Sequence, residues 1–281
     1  MKVNLGCGGI FCTSKDWQNF DFSPADVGIR YANLLARLPL GDSSCSVVYS
    51  SHFFEHIPRA HIPKFLQECN RVLKPGGVLR LVMPDTEEIC EEYLRQIHQG
   101  DGMKSELLIL QLVDQYVRNT PGGELGRFYN MIGSMPDNEE ILDYVKKRNG
   151  HIVEIFSNRR FMDRLREKVS SVGSFVEVAN LVRGALNAIH IRGVCAVLPR
   201  SFRDQNVSFA AVGEKHQWAW DFTQLKHCLV AADFLNVRRV SHNQSQIIDF
   251  PFFPLDTDRS GMPRKGAESM FVEAQKPDLN T

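Results

Sequence analysis

Ile62, Phe65, Leu66, Cys69, Val72 and Leu73 recur at helical spacing, and the run ends on Lys74-Pro75-Gly76-Gly77 just before the apolar stretch Val78 to Met83. Pro75 cannot continue a helix and the glycines permit a sharp turn, so the pattern reads as helix, turn, strand. Short apolar runs precede it: Lys2 to Leu5, Gln18 to Phe22, and Val47 to Ser51 behind the turn cluster Gly41-Asp42-Ser43-Ser44. Strands alternating with turns and a clear helix are the signature of an α/β domain built on a parallel sheet. A length of 281 residues suits one large domain, or a core with a substantial insertion, and 43% hydrophobic content suits a buried core.

The texture changes after Asp85. Residues 86–216 are mostly helical in period, broken by Pro121-Gly122-Gly123, Met135-Pro136-Asp137 and Asn149-Gly150, and read as a helical insertion. From Trp220 the alternation resumes, with a helix over Phe222 to Ala232 and strands over Asn236 to Val240 and Ser269 to Ala274; Lys276 to Thr281 are expected to fray. The core is therefore expected in 1–85 and 217–281, with 86–216 between them capping the acceptor site. Lys plus Arg equal Asp plus Glu at 33 each, so no net field draws the chain to nucleic acid. No segment reaches the roughly 18 apolar residues of a membrane span, and the N-terminus lacks the apolar run of a signal peptide, so no membrane insertion is expected. The seven scattered cysteines, with no C-x-x-C pair, read as reduced thiols and a cytoplasmic location.

Three stretches could carry chemistry. Asn4-Leu5-Gly6-Cys7-Gly8-Gly9 lies at a strand end, where glycines let a ligand approach backbone N–H groups; Phe11 stands where the dinucleotide fingerprint wants its last glycine. Asp21, at the end of the second strand, can accept hydrogen bonds from ribose hydroxyls, or serve simply as a turn residue before Ser23-Pro24. It lies thirteen positions after Gly8, where a Rossmann dehydrogenase would place its acid roughly 20 on. The third stretch, His52-Phe53-Phe54-Glu55-His56, matches the H-x-x-E-H letters of one family of zinc peptidases. That reading needs both histidines on one stable helix, yet a strand ends just before His52 and Pro58 follows His56 by two residues. A zinc hydrolase through His52, Glu55 and His56 is thus the remote alternative, and no resident metal is expected.

The order of Leu5-Gly6-Cys7-Gly8, Asp21, Leu38-Pro39-Leu40, Val48 to His52, Glu55-His56, Arg71-Val72-Leu73-Lys74-Pro75-Gly76-Gly77 and Pro84-Asp85 resembles the class I S-adenosylmethionine-dependent methyltransferases, in the branch called methyltransferase type 11. The segment Trp220 to Val240 is similar to the following helix and sixth strand of that fold, and Ser269 to Ala274 to its antiparallel seventh. The resemblance implies a seven-stranded, mostly parallel, Rossmann-like sheet with an antiparallel last strand, helices on both sides, and the large helical insertion. It implies S-adenosyl-L-methionine as cofactor and S-adenosyl-L-homocysteine as product. By position, Gly6, Cys7 and Gly8 would line the methionine portion, Asp21 the ribose, Asn33 and Leu34 the adenine, and Ser51 with His52 the methionine portion or the acceptor. Asn4 and Asn33 stand where many members carry acids, Ile10 where a third glycine is common, and Asp233 where Ala-Gly-Phe would be usual. The chain starts on strand one without a preceding helix, and the insertion is expected to supply that cover.

Methyl transfer needs the acceptor aligned with an already activated methyl group and, for an oxygen or nitrogen acceptor, a route for its proton. His52 is the first candidate for that base or for orienting the acceptor, ahead of Glu55, His56 and Asp85; local roles compete, with Glu55 pairing Arg59, His56 holding its turn and Asp85 capping the next helix. Trp218, Trp220 and Phe222 can wall a pocket, but packing of the insertion onto the core is the favoured reading. Arg159, Arg160, Arg164 and Arg166 could meet an anionic acceptor or simply be solvated. The expected partner is a small-molecule acceptor, possible classes including a sugar, with the protein a monomer or homodimer; the rival reading is a non-catalytic binder of the cofactor or its product.

Overall fold

The computed structural model describes residues 1–24, 26–150, 190, 193–208, 210 and 213–278 of the chain. Among them seven strands form one sheet: β1 (Lys2–Leu5), β2 (Trp17–Asp21), β3 (Ile29–Tyr31), β4 (Cys45–Ser51), β5 (Leu73–Pro84), β6 (Leu235–Val240) and β7 (Ser269–Gln275), in the order β3-β2-β1-β4-β5-β7-β6. The first five run parallel and β7 is antiparallel to both β5 and β6. The expected sheet is present, including its antiparallel last strand. From β1 the chain steps outward through β2 and β3, then returns to the other side of β1 as β4, so the topological switch lies between β1 and β4.

The expected helix is α1 (Ile62–Val72), whose buried residues are Ile62, Phe65, Leu66, Cys69 and Val72. It passes directly into β5. Its apolar stripe packs on one sheet face with Leu225 and Leu229 of a later helix, Phe222–Ala231, against Val3, Leu5, Val48, Leu79, Leu81 and Val272. The opposite face is covered in part by Ile247, Phe250 and Leu255, which sit on Trp17, Val47, Tyr49, Val82 and Phe271. Cover for that face thus comes, among the described residues, from the β6–β7 connection as well as from anything the insertion supplies.

After β5 the chain forms α2 (Thr86–Gln99), α3 (Gly102–Val117), α4 (Gly123–Ser134) and α5 (Glu139–Asn149). Asp85 and Asp101 cap α2 and α3 by accepting from the backbone N–H of Glu87 and Lys104. Leu107, Phe128, Tyr129, Ile132 and Val145 give α3 to α5 a core of their own. The described part of the expected insertion is therefore helical, with α6 (Arg200–Asn206) following before α7 (Phe222–Ala231) returns to the sheet. Arg159, Arg160, Arg164 and Arg166 lie outside the described residues. Lys276, expected to fray, is instead fastened: its ammonium donates to the carbonyls of Asn70 (2.7 Å) and Leu73 (2.8 Å) at the end of α1. Residues 279–281 lie outside the described residues.

Candidate active site

The carboxyl ends of β1, β2 and β4 bring together residues far apart in sequence. Gly6 and Gly8 both have positive φ, 68° and 56°, a conformation that glycine adopts without a Cβ penalty. Gly6 N–H donates to the Phe20 carbonyl at 2.9 Å, and the loop then turns so that Gly8 N–H donates to Asp21 Oδ2 at 2.9 Å. The other Asp21 oxygen accepts from Ser23 N–H at 2.8 Å. Asp21 is thus the brace of the glycine loop, and each of its oxygens keeps lone-pair capacity for a further donor. The two readings of Asp21 from sequence are compatible: it is a turn residue and a free acceptor at once.

Space at this edge is uneven. A Cβ on Gly8 or Gly9 would meet nothing within 4 Å, whereas one on Gly6 would lie 2.5 Å from the ring of Phe53. Burial pushes the Cys7 thiol up to about 12, with the Asp21 carboxylate the next cause, so Cys7 stays a neutral thiol. Beneath the loop Asn4 donates to the Ile10 carbonyl at 3.2 Å, while its Oδ1 is buried without a donor. Asn33 Oδ1 accepts from Leu35 N–H at 3.1 Å just past β3, and Leu34 is buried.

At the end of β4, Ser50 donates to the Leu5 carbonyl (2.8 Å), tying β4 to β1 at the switch, and Ser51 Oγ lies 3.5 Å from Arg264 Nη2. His52 has φ +50°, a left-handed conformation that is strained for a residue other than glycine. It is held there by N–H donation to the Val82 carbonyl (2.8 Å), by Nε2 against Ser269 Oγ (2.9 Å), and by Nδ1 at 3.3 Å from Glu55 Oε1. The H-x-x-E-H letters therefore do not form a helix: His52 follows the last residue of β4, and only Phe54–His56 make a 3-10 turn.

Around His52 lies a buried polar cluster. Burial holds His52 well below the usual histidine range, with Lys265 and Arg264 adding to it, and pushes Glu55 up to about 8. Their contact at neutral pH is consequently one between uncharged groups, not an ion pair. Glu55 does not reach Arg59, whose guanidinium stacks 4.2 Å from the Trp218 ring centroid. His56 donates from Nδ1 not within its own turn but to the distant Lys215 carbonyl at 3.0 Å, and its ring meets that of His216 edge-on at 4.8 Å. Burial drives His216 down to about 3. Glu268 is pushed up to about 7 by burial and accepts from Gln111 at 2.6 Å. Trp220 packs 5.0 Å from Phe54 in the main core, in line with packing and not a pocket wall.

Sequence reading missed His216 as a neighbour of His56, and missed Lys265, Glu268 and Tyr116. They arrive from chain segments distant in sequence, and no local spacing marks them. Behind this cluster a cavity of about 350 Å³ is lined by Gln115, Arg118, Tyr129, Asn149, Glu214 and Glu268.

A methyltransferase-domain family matches residues 14–81. A protein of Mycolicibacterium smegmatis described as a probable S-adenosylmethionine-dependent methyltransferase is 44% identical over 59 residues, 21% of this chain and 22% of that protein. The chain therefore aligns with about a fifth of that relative's length. Among solved structures, a SAM-dependent methyltransferase of Thermotoga maritima is 12% identical over 98% of this chain and 81% of its own, with a TM-score of 0.40. Geranyl diphosphate C-methyltransferase of Streptomyces coelicolor, solved with Mg2+, geranyl diphosphate and S-adenosyl-L-homocysteine, is 16% identical over 30% and 39% of the two chains, at 0.24. Those two scores add nothing to the strand order described above. No helix among the described residues is long and apolar enough to cross a membrane. The matched segment runs from just before β2 into β5 and takes in β4, and over that stretch the chain is similar to the methyltransferase-domain family and to the S-adenosylmethionine-dependent relative.

Proposed function

We propose that this chain binds S-adenosyl-L-methionine across the switch between β1 and β4 and methylates a small-molecule acceptor delivered from the His52 side. The observation that carries this reading is the Gly8 N–H to Asp21 Oδ2 bond at 2.9 Å, which joins a glycine loop open to ligand to an acid with lone pairs to spare. Gly6, Cys7 and Gly8 would flank the methionine portion, and the buried, undonated Oδ1 of Asn4 suits a donor such as the ammonium group there. Asp21 would accept from the ribose hydroxyls, Asn33 and Leu34 would border the adenine, and Ser51 would close the β4 side. When bound, the cofactor supplies a methyl group on a sulfonium, already activated for transfer.

The chain's own work is then alignment and proton handling. His52 is uncharged at pH 7, and its ring can orient the acceptor: Ser269 Oγ at 2.9 Å from Nε2 marks where an acceptor hydroxyl or amine would sit once that serine turns away. A pocket of about 350 Å³ that shares Glu268 with the cluster is of a size for a small molecule. The division of the chain into a core of 1–85 and 217–281 and a capping insertion of 86–216 belongs to the same proposal.

Calorimetry with S-adenosyl-L-homocysteine tests the binding step. Asp21→Ala is expected to weaken affinity tenfold or more, about 1.4 kcal/mol or greater, because it removes both the loop brace and the charge-assisted acceptor. Unchanged affinity in a folded variant would remove Asp21 from the ribose site. A radiolabelled methyl-transfer screen over metabolite fractions then separates an enzyme from the rival, a binder without transfer; His52→Gln should lower transfer and leave S-adenosyl-L-homocysteine affinity within about threefold.

A further inference from the structure

Glu55, His56 and His216 converge at the side of the cluster away from the strand end. One ligand atom from each lies within 4.8 Å of the others. Both oxygens of Glu55 and Nδ1 of His216 are buried, and no donor or acceptor among the described residues makes a hydrogen bond to them. The Glu55 side chain is 2% exposed. A buried carboxyl group with neither oxygen satisfied is costly, and a bound cation would relieve that cost.

The surrounding backbone holds the three residues in place. His56 Nδ1 faces the Lys215 carbonyl, which can only accept, so the proton is on Nδ1 and the lone pair is on Nε2, 4.0 Å from Glu55 Oε1. Ligating histidines characteristically donate their other N–H to a carbonyl in this way. Gln217 N–H donates to the Glu55 carbonyl at 2.7 Å and His216 N–H to the Gln115 carbonyl at 2.9 Å, fastening 215–217 to the end of β4 and to α3. The His216 ring is bracketed by those of His56 at 4.8 Å and Tyr116 at 5.4 Å.

We propose that Glu55, His56 and His216 form a binding site for one divalent transition-metal ion of the zinc class. Zinc bonds of about 2.0–2.2 Å to nitrogen and oxygen need ligand atoms about 3.4 Å apart, so rotations of these side chains close the remaining gap. Two imidazoles and a carboxylate suit that class of ion better than magnesium or calcium, which prefer oxygen-only shells. Three protein ligands leave a fourth position for water or an oxygen or nitrogen ligand. The ligand set differs from the H-x-x-E-H letters, because His52 is turned toward Ser269 and its place is taken by a histidine 160 residues downstream of His56. Such an ion would also clamp the segment entering α7 to the end of β4. The site stands independently of cofactor binding.

The test uses the untagged full chain, stripped with chelator and titrated with zinc against a chromophoric competitor, then with cobalt(II) for its visible absorption. One equivalent of either ion is expected, with a four-coordinate cobalt spectrum. His216→Asn and Glu55→Gln should each weaken binding roughly a hundredfold or more, while His52→Asn, which meets the site only through Glu55, should weaken it less than either. Pulsed EPR of the copper(II)-loaded parent should count two imidazoles and needs no variant to fold. No uptake by the folded parent, a count other than two, equal binding by folded His216→Asn, or loss of binding in His52→Asn equal to that in Glu55→Gln would each overturn the assignment.

Discussion

Gly6 and Gly8 share a left-handed backbone, yet their surroundings separate them. Alanine at Gly8 meets open space and should cost only the backbone term, about 1 kcal/mol. Alanine at Gly6 adds a collision with the Phe53 ring, so it should unfold at lower denaturant than Gly8→Ala and lose more S-adenosyl-L-homocysteine affinity; equal effects in both assays would show that Phe53 gives way freely. The glycines and Asp21 were legible in sequence because a strand end, a glycine and an acid on the next strand are local signals. The strain at His52 was not. Nothing in the letters around it distinguishes a helical histidine from one forced to φ +50° by the Val82, Ser269 and Glu55 contacts.

Among the elements, β5 and β7 carry the most demanding interaction. Arg80 and Glu273 are register partners in the middle of the two strands, and both are fully buried. The guanidinium is 2.7 Å from Glu273 and 2.7 Å from Asp256, and it also donates to the Gln244 carbonyl at 3.0 Å. Tyr49 donates to Asp256 (2.7 Å), and Gln246 N–H to Glu273 (3.0 Å), so the carboxylates are well supplied with donors. Arg80→Met would strip both acids of their buried cation, leaving Glu273 only the half-exposed Arg238 at 3.7 Å, and is expected to lower stability by about 3–5 kcal/mol in urea unfolding. A loss below about 1 kcal/mol would mean that the acids take up protons or reach water instead. This triad has a partial trace in the sequence, a charge inside each of two apolar runs, but Asp256 comes from a connection whose position no periodicity reveals. β3 escaped notice for a different reason: Ile29–Tyr31 is three residues long with one buried, too short to show alternation. β1, β2, β4, α1, β5, α7 and β7 were legible because each has an apolar run or stripe, whereas β6, with no buried residue, was legible through its place after α7.

Three apolar clusters and one polar cluster organise the described molecule. Glu268 joins its parts: its carbonyl accepts from Asp85 N–H (2.7 Å), its N–H donates to the Arg148 carbonyl (3.3 Å), and its side chain meets Gln111. Its carboxyl is pushed from 4.5 to about 7, mainly by burial, so the folded state takes up a proton that the unfolded state has released between those values. Its contribution to stability is accordingly intact below pH 4.5 and falls as pH rises to about 7, by on the order of 3 kcal/mol. Glu268→Gln should therefore match the parent near pH 4.5 and exceed it by that order at pH 8 in paired denaturation curves. A difference that does not change with pH would place the carboxyl near its ordinary value.

The sheet order also bears on how the chain can be made. Among the described residues β6 has no strand neighbour but β7, and β7 enters between β6 and β5 only after both are already present. Synthesis must pass Gln275 before β6 has anything to pair with and before Glu273 can meet Arg80. Until then β5 presents a bare hydrogen-bonding edge with a charge at its centre, which discourages a foreign strand from docking there. The nascent chain thus carries its own guard against premature pairing, and removes it by the act of finishing the sheet.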